Sequence, residues 1–149
     1  MNLQEVLLIS DSVISPETIQ AYRETDYRVD RERSLVLRIN EFNESLATLY
    51  KINRVNCCAF ITACNPFGQA IDETANAHLQ EKLASEIKNR GLIYFKGSGK
   101  NIIGDWPSEP SYLVLGISLE ASKSLGIKYD QNAIVWCGSD AVPHLVLLR

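Results

Sequence analysis

Two stretches, residues 57–63 and 111–117, are apolar at almost every position, with Thr62 and Ser111 the clear exceptions. Successive side chains of a strand point to opposite faces, so a strand without polar alternation must be covered on both sides. Both stretches therefore read as interior strands of a sheet, and the remaining segments must supply its covering layers and its edges.

Helical segments are marked by their caps and periodicity. Ser15-Pro16-Glu17 predicts an N-cap, a first-turn proline and a first-turn acid, starting a helix that runs to about Tyr22 and ends before Thr25. Asn43 can cap a second helix carrying Leu46, Leu49 and Tyr50 on one stripe. Ala75, Leu79, Leu83 and Ile87 recur every four residues, and Arg90-Gly91 closes that helix with a cationic last turn and a glycine able to adopt positive φ. Ser118 caps a fourth helix, with Leu119, Ala121 and Leu125 as its apolar positions and Gly126 as its expected end.

Between these lie β-prone runs. Residues 27–29 and 34–39 flank a charged turn and predict a hairpin. Residues 92–96 predict a strand followed by a flexible Gly97-Ser98-Gly99-Lys100 turn, and residues 132–136 and 144–148 predict two last strands. The expected fold is thus one α+β domain over residues 16–149, with a mixed, mainly antiparallel sheet and about four helices, preceded by an amino-terminal extension at 1–15. Within it, residues 57–137 follow the β-α-β-β-α-β order of a ferredoxin-like core, and a larger sheet with helices on both faces fits the same order. The expected core includes Cys57, Phe60, Leu79, Leu83, Leu113, Leu115 and Val135.

Charge and cysteine usage narrow the function classes. A formal charge of -3 gives no overall attraction to nucleic acid, and Arg23, Arg28, Arg31, Arg33 and Arg38 are interleaved with Glu24, Asp26, Asp30, Glu32 and Glu41. The cysteines at 57, 58, 64 and 137 lie in apolar surroundings without a Cys-x-x-Cys pair. They read as reduced thiols of a cytoplasmic protein, a compartment consistent with the absence of a secretion segment or a membrane-length apolar run near the amino terminus. His78 and His144 have no ligand spacing around them, so neither a metal nor another cofactor is expected. Gly97-Ser98-Gly99-Lys100-Asn101 lacks the glycine spacing, the hydroxyl residue and the following helix of a phosphate loop.

Two places change abruptly from apolar to polar. Thr62-Ala63-Cys64-Asn65-Pro66-Phe67-Gly68 follows a buried strand and precedes the helix carrying Asn76, a position where α/β proteins hold ligands on strand ends and unpaired helix N–H groups. Trp106-Pro107-Ser108-Glu109-Pro110-Ser111 precedes the other buried strand. If the two strands are antiparallel, Thr62, Asn65, Asn76, Glu109 and Ser111 converge on one pocket, with Trp106 as a wall and Glu109 as the candidate acid or base.

The same stretches carry a resemblance. Tyr22-Arg23-Glu24-Thr25-Asp26-Tyr27, Thr62-Ala63-Cys64-Asn65-Pro66 and Trp106-Pro107-Ser108-Glu109-Pro110-Ser111, together with Gly116, Gly126, Gln131 and Ala133, resemble the bacterial family catalogued as domain of unknown function 3293. The resemblance runs from about Ala21 to the carboxyl terminus and implies a bacterial source and a shared polar site, without naming a substrate.

Three functions remain. The first is a binding protein for a small polar or anionic ligand at one end of the central sheet. The second is a protein-interaction or regulatory module, or a homodimer, in which the 27–39 hairpin or the apolar strand at 144–148 pairs edge to edge. The third is a small enzyme with Glu109 as general acid or base and Cys64, Ser111 or a water as the attacking group.

Overall fold

The computed structural model describes residues 12–31, 33–101 and 108–149. Residues 1–11 of the expected extension, Glu32 of the hairpin turn, Trp106 and Pro107 lie outside this range.

Among the described residues the chain runs α1 (Pro16–Arg23), β1 (Thr25–Val29), β2 (Leu35–Leu37), α2 (Glu44–Asn53), β3 (Cys58–Ile61), a 3-10 turn (Pro66–Gly68), α3 (Glu73–Asn89), β4 (Tyr94–Asn101), β5 (Glu109–Leu115), α4 (Leu119–Lys128), β6 (Ala133–Cys137) and β7 (Pro143–Leu147). The expected caps are present, because each satisfies a backbone N–H that has no partner within its helix. Ser15, Asn43 and Ser118 accept from Thr18, Leu46 and Ala121. Asp72 caps α3 by accepting from Ala75, and Gly91 adopts φ +72° just beyond that helix.

The strands form one seven-stranded sheet in the order β2-β1-β4-β5-β3-β6-β7. Every pairing among the described residues is antiparallel, in keeping with the mainly antiparallel sheet expected. Strands β3 and β4 run in the same direction with β5 between them, and β5 and β6 do so with β3 between them. These two interleaved units, with α3 and α4 on one face, make the ferredoxin-like core. The β1–β2 hairpin and β7 extend it at either side.

The sheet separates two apolar layers, as the continuous runs of β3 and β5 require. On one face Ala59, Ile61, Tyr112, Val114 and Ile134 pack against Leu83 and Ile87 of α3 and Leu125 of α4. On the other, Cys58, Phe60, Leu113, Leu115, Val135 and Cys137 join Tyr27, Val29, Leu35 and Leu37 around Leu46, Leu49 and Tyr50 of α2. This second face is curled. Beyond β2, the Asn40 N–H donates to Pro143 O of β7 at 2.8 Å and the Asn43 N–H donates to Ala141 O at 3.0 Å, linking the two sheet edges beside α2. Of the expected core, Phe60, Leu83, Leu113, Leu115 and Val135 are buried, while Leu79 and Cys57 are only partly covered. Leu79 lies toward the rim of the α3 contact, and Cys57 precedes β3.

Two expectations are corrected by close contacts across the sheet. Gly97-Ser98-Gly99-Lys100 is not a turn but part of β4, paired with β1 and β5. A Cβ on Gly97 would lie 2.4 Å from Arg28 O and 3.0 Å from Phe60 Cε2, so glycine there serves strand proximity rather than flexibility. Gly126 does not end α4, which continues to Lys128. A Cβ at 126 would lie 2.4 Å from Leu148 Cδ1, and glycine instead lets the carboxyl-terminal segment reach the helix.

The cysteines at 57, 58, 64 and 137 are free thiols, although Cys58 and Cys137 lie directly opposite one another in β3 and β6. Alkylation after unfolding without reductant is expected to modify all four, with an intact mass unchanged by prior reduction. A disulfide mass difference would contradict this. No helix of the described residues is long and apolar enough to cross a membrane, and no metal-binding cluster occurs among them.

Candidate functional site

α2 fills the trough of the curled sheet at one end. Toward the other end lies a cavity of about 170 Å³, bordered by Ala21 and Tyr22 of α1 and by residues of β1, β3, β4, β5, β6 and β7. Its apolar walls include Tyr27 and Phe60, whose rings meet edge to face at 5.3 Å, with Val135 and Leu145. Gly99 leaves room on the β4 side.

Antiparallel pairing of β3 with β5 brings the two polar stretches together. Thr62, Asn65, Glu109 and Ser111 all border this cavity; Asn76 does not. Asn76 instead braces Asn65. Its Oδ1 accepts from the Asn65 backbone N–H at 2.8 Å, and its Nδ2 donates to Asn65 Oδ1, also at 2.8 Å. The Ile71 N–H donates to that same oxygen at 3.3 Å. With its oxygen so engaged, the Asn65 amide turns its nitrogen to Glu109 and donates to Oε2 at 3.0 Å.

The loop bearing Asn65 is held from both sides. Gln80 of α3 accepts the Ala63 N–H at 2.7 Å, while Gln131, beyond α4, donates to Cys64 O at 3.0 Å. Thr62 sends its hydroxyl proton to Pro110 O at 2.7 Å and accepts from the Cys64 N–H at 3.0 Å, tying β3 to β5. The loop also contains left-handed backbone at Asn65 (φ 50°), Phe67 (φ 57°) and Gly68 (φ 72°). Such conformations disfavour side chains with a Cβ, most of all a bulky one such as Phe, and persist where surrounding contacts hold them.

Other polar groups line the cavity without having been singled out as pocket residues from the sequence. Tyr22 and Thr25 lie on the α1–β1 side, Asn101 at the end of β4, and Gln131 and Asn132 before β6. Asn132 Nδ2 donates to the Tyr22 hydroxyl at 3.1 Å, and Arg149 Nη1 donates to Asn132 Oδ1 at 2.9 Å. A Cβ on Gly68 would come within 2.8 Å of Asn132 Nδ2, so glycine keeps that amide clear. The Tyr22-x-x-Thr25-x-Tyr27 motif was visible in the sequence, but its spacing did not reveal that α1 closes over the sheet.

Burial pushes the Glu109 carboxyl above its ordinary range, and the Asn65 hydrogen bond only partly opposes this. Its ionised form therefore opposes folding: stability is greatest below the unfolded carboxyl pKa and falls as pH rises through the higher folded value. Glu109→Gln is expected to raise the urea midpoint at about pH 7, with the difference closing at about pH 4. A constant difference between these pH values would mean that Glu109 is not desolvated.

Cys64 is buried and its thiol is pushed up, first by desolvation. Ser111 donates to the carbonyl of Glu109 at 3.1 Å. The Cys64 thiol donates to Pro110 O at 3.7 Å, so neither side chain donates to a side-chain base, and the Glu109 charge further raises the Cys64 thiol.

No curated protein and no solved structure matches the chain. Residues 61–134, which run from the last residue of β3 to the start of β6 and include Thr62, Asn65, Asn76, Glu109, Ser111 and Gln131, match the family model described as "Protein of unknown function (DUF3293)", and in this stretch the chain resembles that family.

Proposed function

We propose that this chain binds a small polar molecule in the cavity at the α1 end of the sheet. The observation that carries this reading is convergence: Tyr22, Thr25 and Tyr27, Thr62 and Asn65, and Glu109 and Ser111 come from three distant stretches yet border one cavity. Packing alone would favour apolar side chains there, whereas a partly desolvated carboxylate held by an oriented amide is costly unless it serves recognition. Left-handed backbone at the rim is a second mark of a site maintained by its surroundings.

The raised Glu109 carboxyl also favours a second reading, in which it donates or accepts a proton while a bound water attacks the substrate. Edge pairing through β7 has less support. Val146 and Leu148 pack on the helix-bearing face, and Leu145 borders the cavity, so these apolar side chains have partners within the chain.

Thermal-shift screening against a metabolite collection tests the binding reading with wild type, Asn65→Ala and Glu109→Gln. A compound that stabilises wild type is expected to lose most of its shift in both folded variants. An undiminished shift in both would overturn the cavity assignment, and turnover of the compound would favour the catalytic reading.

A further inference from the structure

Building on that reading, we propose that the ligand presents an amidine-type pair of N–H donors on a body of about one ring, that Glu109 accepts this pair, and that carboxylates and phosphates are rejected. The hydrogen bonds around Asn65 have a fixed direction. Asn76 and Ile71 engage Asn65 Oδ1, which commits Asn65 Nδ2 to Glu109 Oε2 at 3.0 Å. The carboxylate is thereby held as an acceptor, with capacity for further donors at the cavity wall.

Two backbone N–H groups near the cavity loop that could receive an anion are already engaged. Asp72 takes the Ala75 N–H at the start of α3, and Asn76 takes the Asn65 N–H. Arg149 does not line the cavity, and its charge reaches it only through the Tyr22 hydroxyl; its guanidinium stacks 4.6 Å from the Phe67 ring centre and donates to Asn132. The carboxylate within the cavity adds direct repulsion of an anion.

The α1 side has the complementary polarity. Tyr22 OH accepts from Asn132 Nδ2, leaving its own proton available for an acceptor elsewhere on the ligand. Tyr27, Phe60, Val135 and Leu145 supply apolar walls between these polar sides. A volume of about 170 Å³ is comparable to the engineered apolar cavity of about 150 Å³ in another protein that admits benzene, which suits a body of about one ring.

Isothermal titration of the full chain with benzamidinium, benzamide and benzoate tests this assignment, because the three share a ring and differ in head-group charge and donors. Benzamidinium is expected to bind at least about tenfold more tightly than benzamide, with benzoate weakest. Glu109→Gln should bring benzamidinium and benzamide to similar affinity. Absence of binding by benzamidinium, stronger binding by benzoate, or an amidinium preference retained in Glu109→Gln would overturn the inference.

Gly99→Leu distinguishes that failure from failure of the cavity reading. A Cβ at 99 meets Thr25 Cγ2 at 3.5 Å and Tyr27 Cδ1 at 3.8 Å, ordinary contacts that leave the larger side chain to occupy the cavity. Loss of benzamidinium binding in this folded variant supports both assignments. If benzoate binds wild type best and loses affinity in Gly99→Leu, the cavity survives while the amidine class fails. Binding of any of the three probes that is undiminished in folded Gly99→Leu overturns the cavity reading.

Discussion

Leu83→Ala is expected to lower the unfolding free energy by about 3–5 kcal/mol, the upper part of the range for truncating a buried leucine. Leu83 is fully buried among Ala59, Ile61, Tyr112, Val114 and Ile87, where α3 crosses the middle of the sheet. The substitution removes apolar contact from both helix and sheet, and central strands paired on both sides have little freedom to collapse into the space. The effect should extend to the cavity. Gln80 and Asn76 lie on the same helix and hold Ala63 and Asn65, so a less firmly docked α3 loosens the loop that orients Glu109. Urea unfolding should show a lower midpoint with a similar slope, and any cavity ligand should bind more weakly. An unchanged midpoint would mean that α3 does not pack through Leu83.

Gly97→Val is expected to cost about 3 kcal/mol or more, at or above the upper end of typical overpacking effects. The collision begins at Cβ, 2.4 Å from Arg28 O and 3.0 Å from Phe60 Cε2, before either valine methyl is placed. Relief requires β1 to separate from β4, losing the Val29–Gly97 register, or Phe60 to turn away from Tyr27 and disturb the cavity wall. Gly99→Ala is the control, because its Cβ makes ordinary contacts and should change stability by less than about 1 kcal/mol. Similar denaturant midpoints for Gly97→Val and Gly99→Ala would contradict the β1–β4 contact.

Glycine reports a missing Cβ, but its sequence neighbours do not say whether that absence permits a turn or a close approach. Gly97 and Gly126 both lie beside ordinary turn or helix-end signals, yet their decisive neighbours are Arg28, Phe60 and Leu148, far away in the chain. The candidate pocket shows the same division. The polar breaks at Thr62-Asn65 and Glu109-Ser111 were legible because each interrupts an apolar run. That Asn76 braces Asn65 from behind rather than facing the cavity depends on how α3 is oriented over the loop.

What the sequence determined by itself was local: the caps at Ser15, Asn43 and Ser118, the apolar stripe through Leu83 and Ile87, and the two-sided burial of β3 and β5. Each follows from backbone groups needing partners or from side-chain periodicity within a short segment. Only the tertiary structure decided that α2 fills one end of the trough while α1 brings Tyr22 over the other, and that Asn132, 110 residues from Tyr22, turns its amide to that hydroxyl. Strand order and sheet curl depend on which faces pack together over long sequence separations, information that periodicity does not contain.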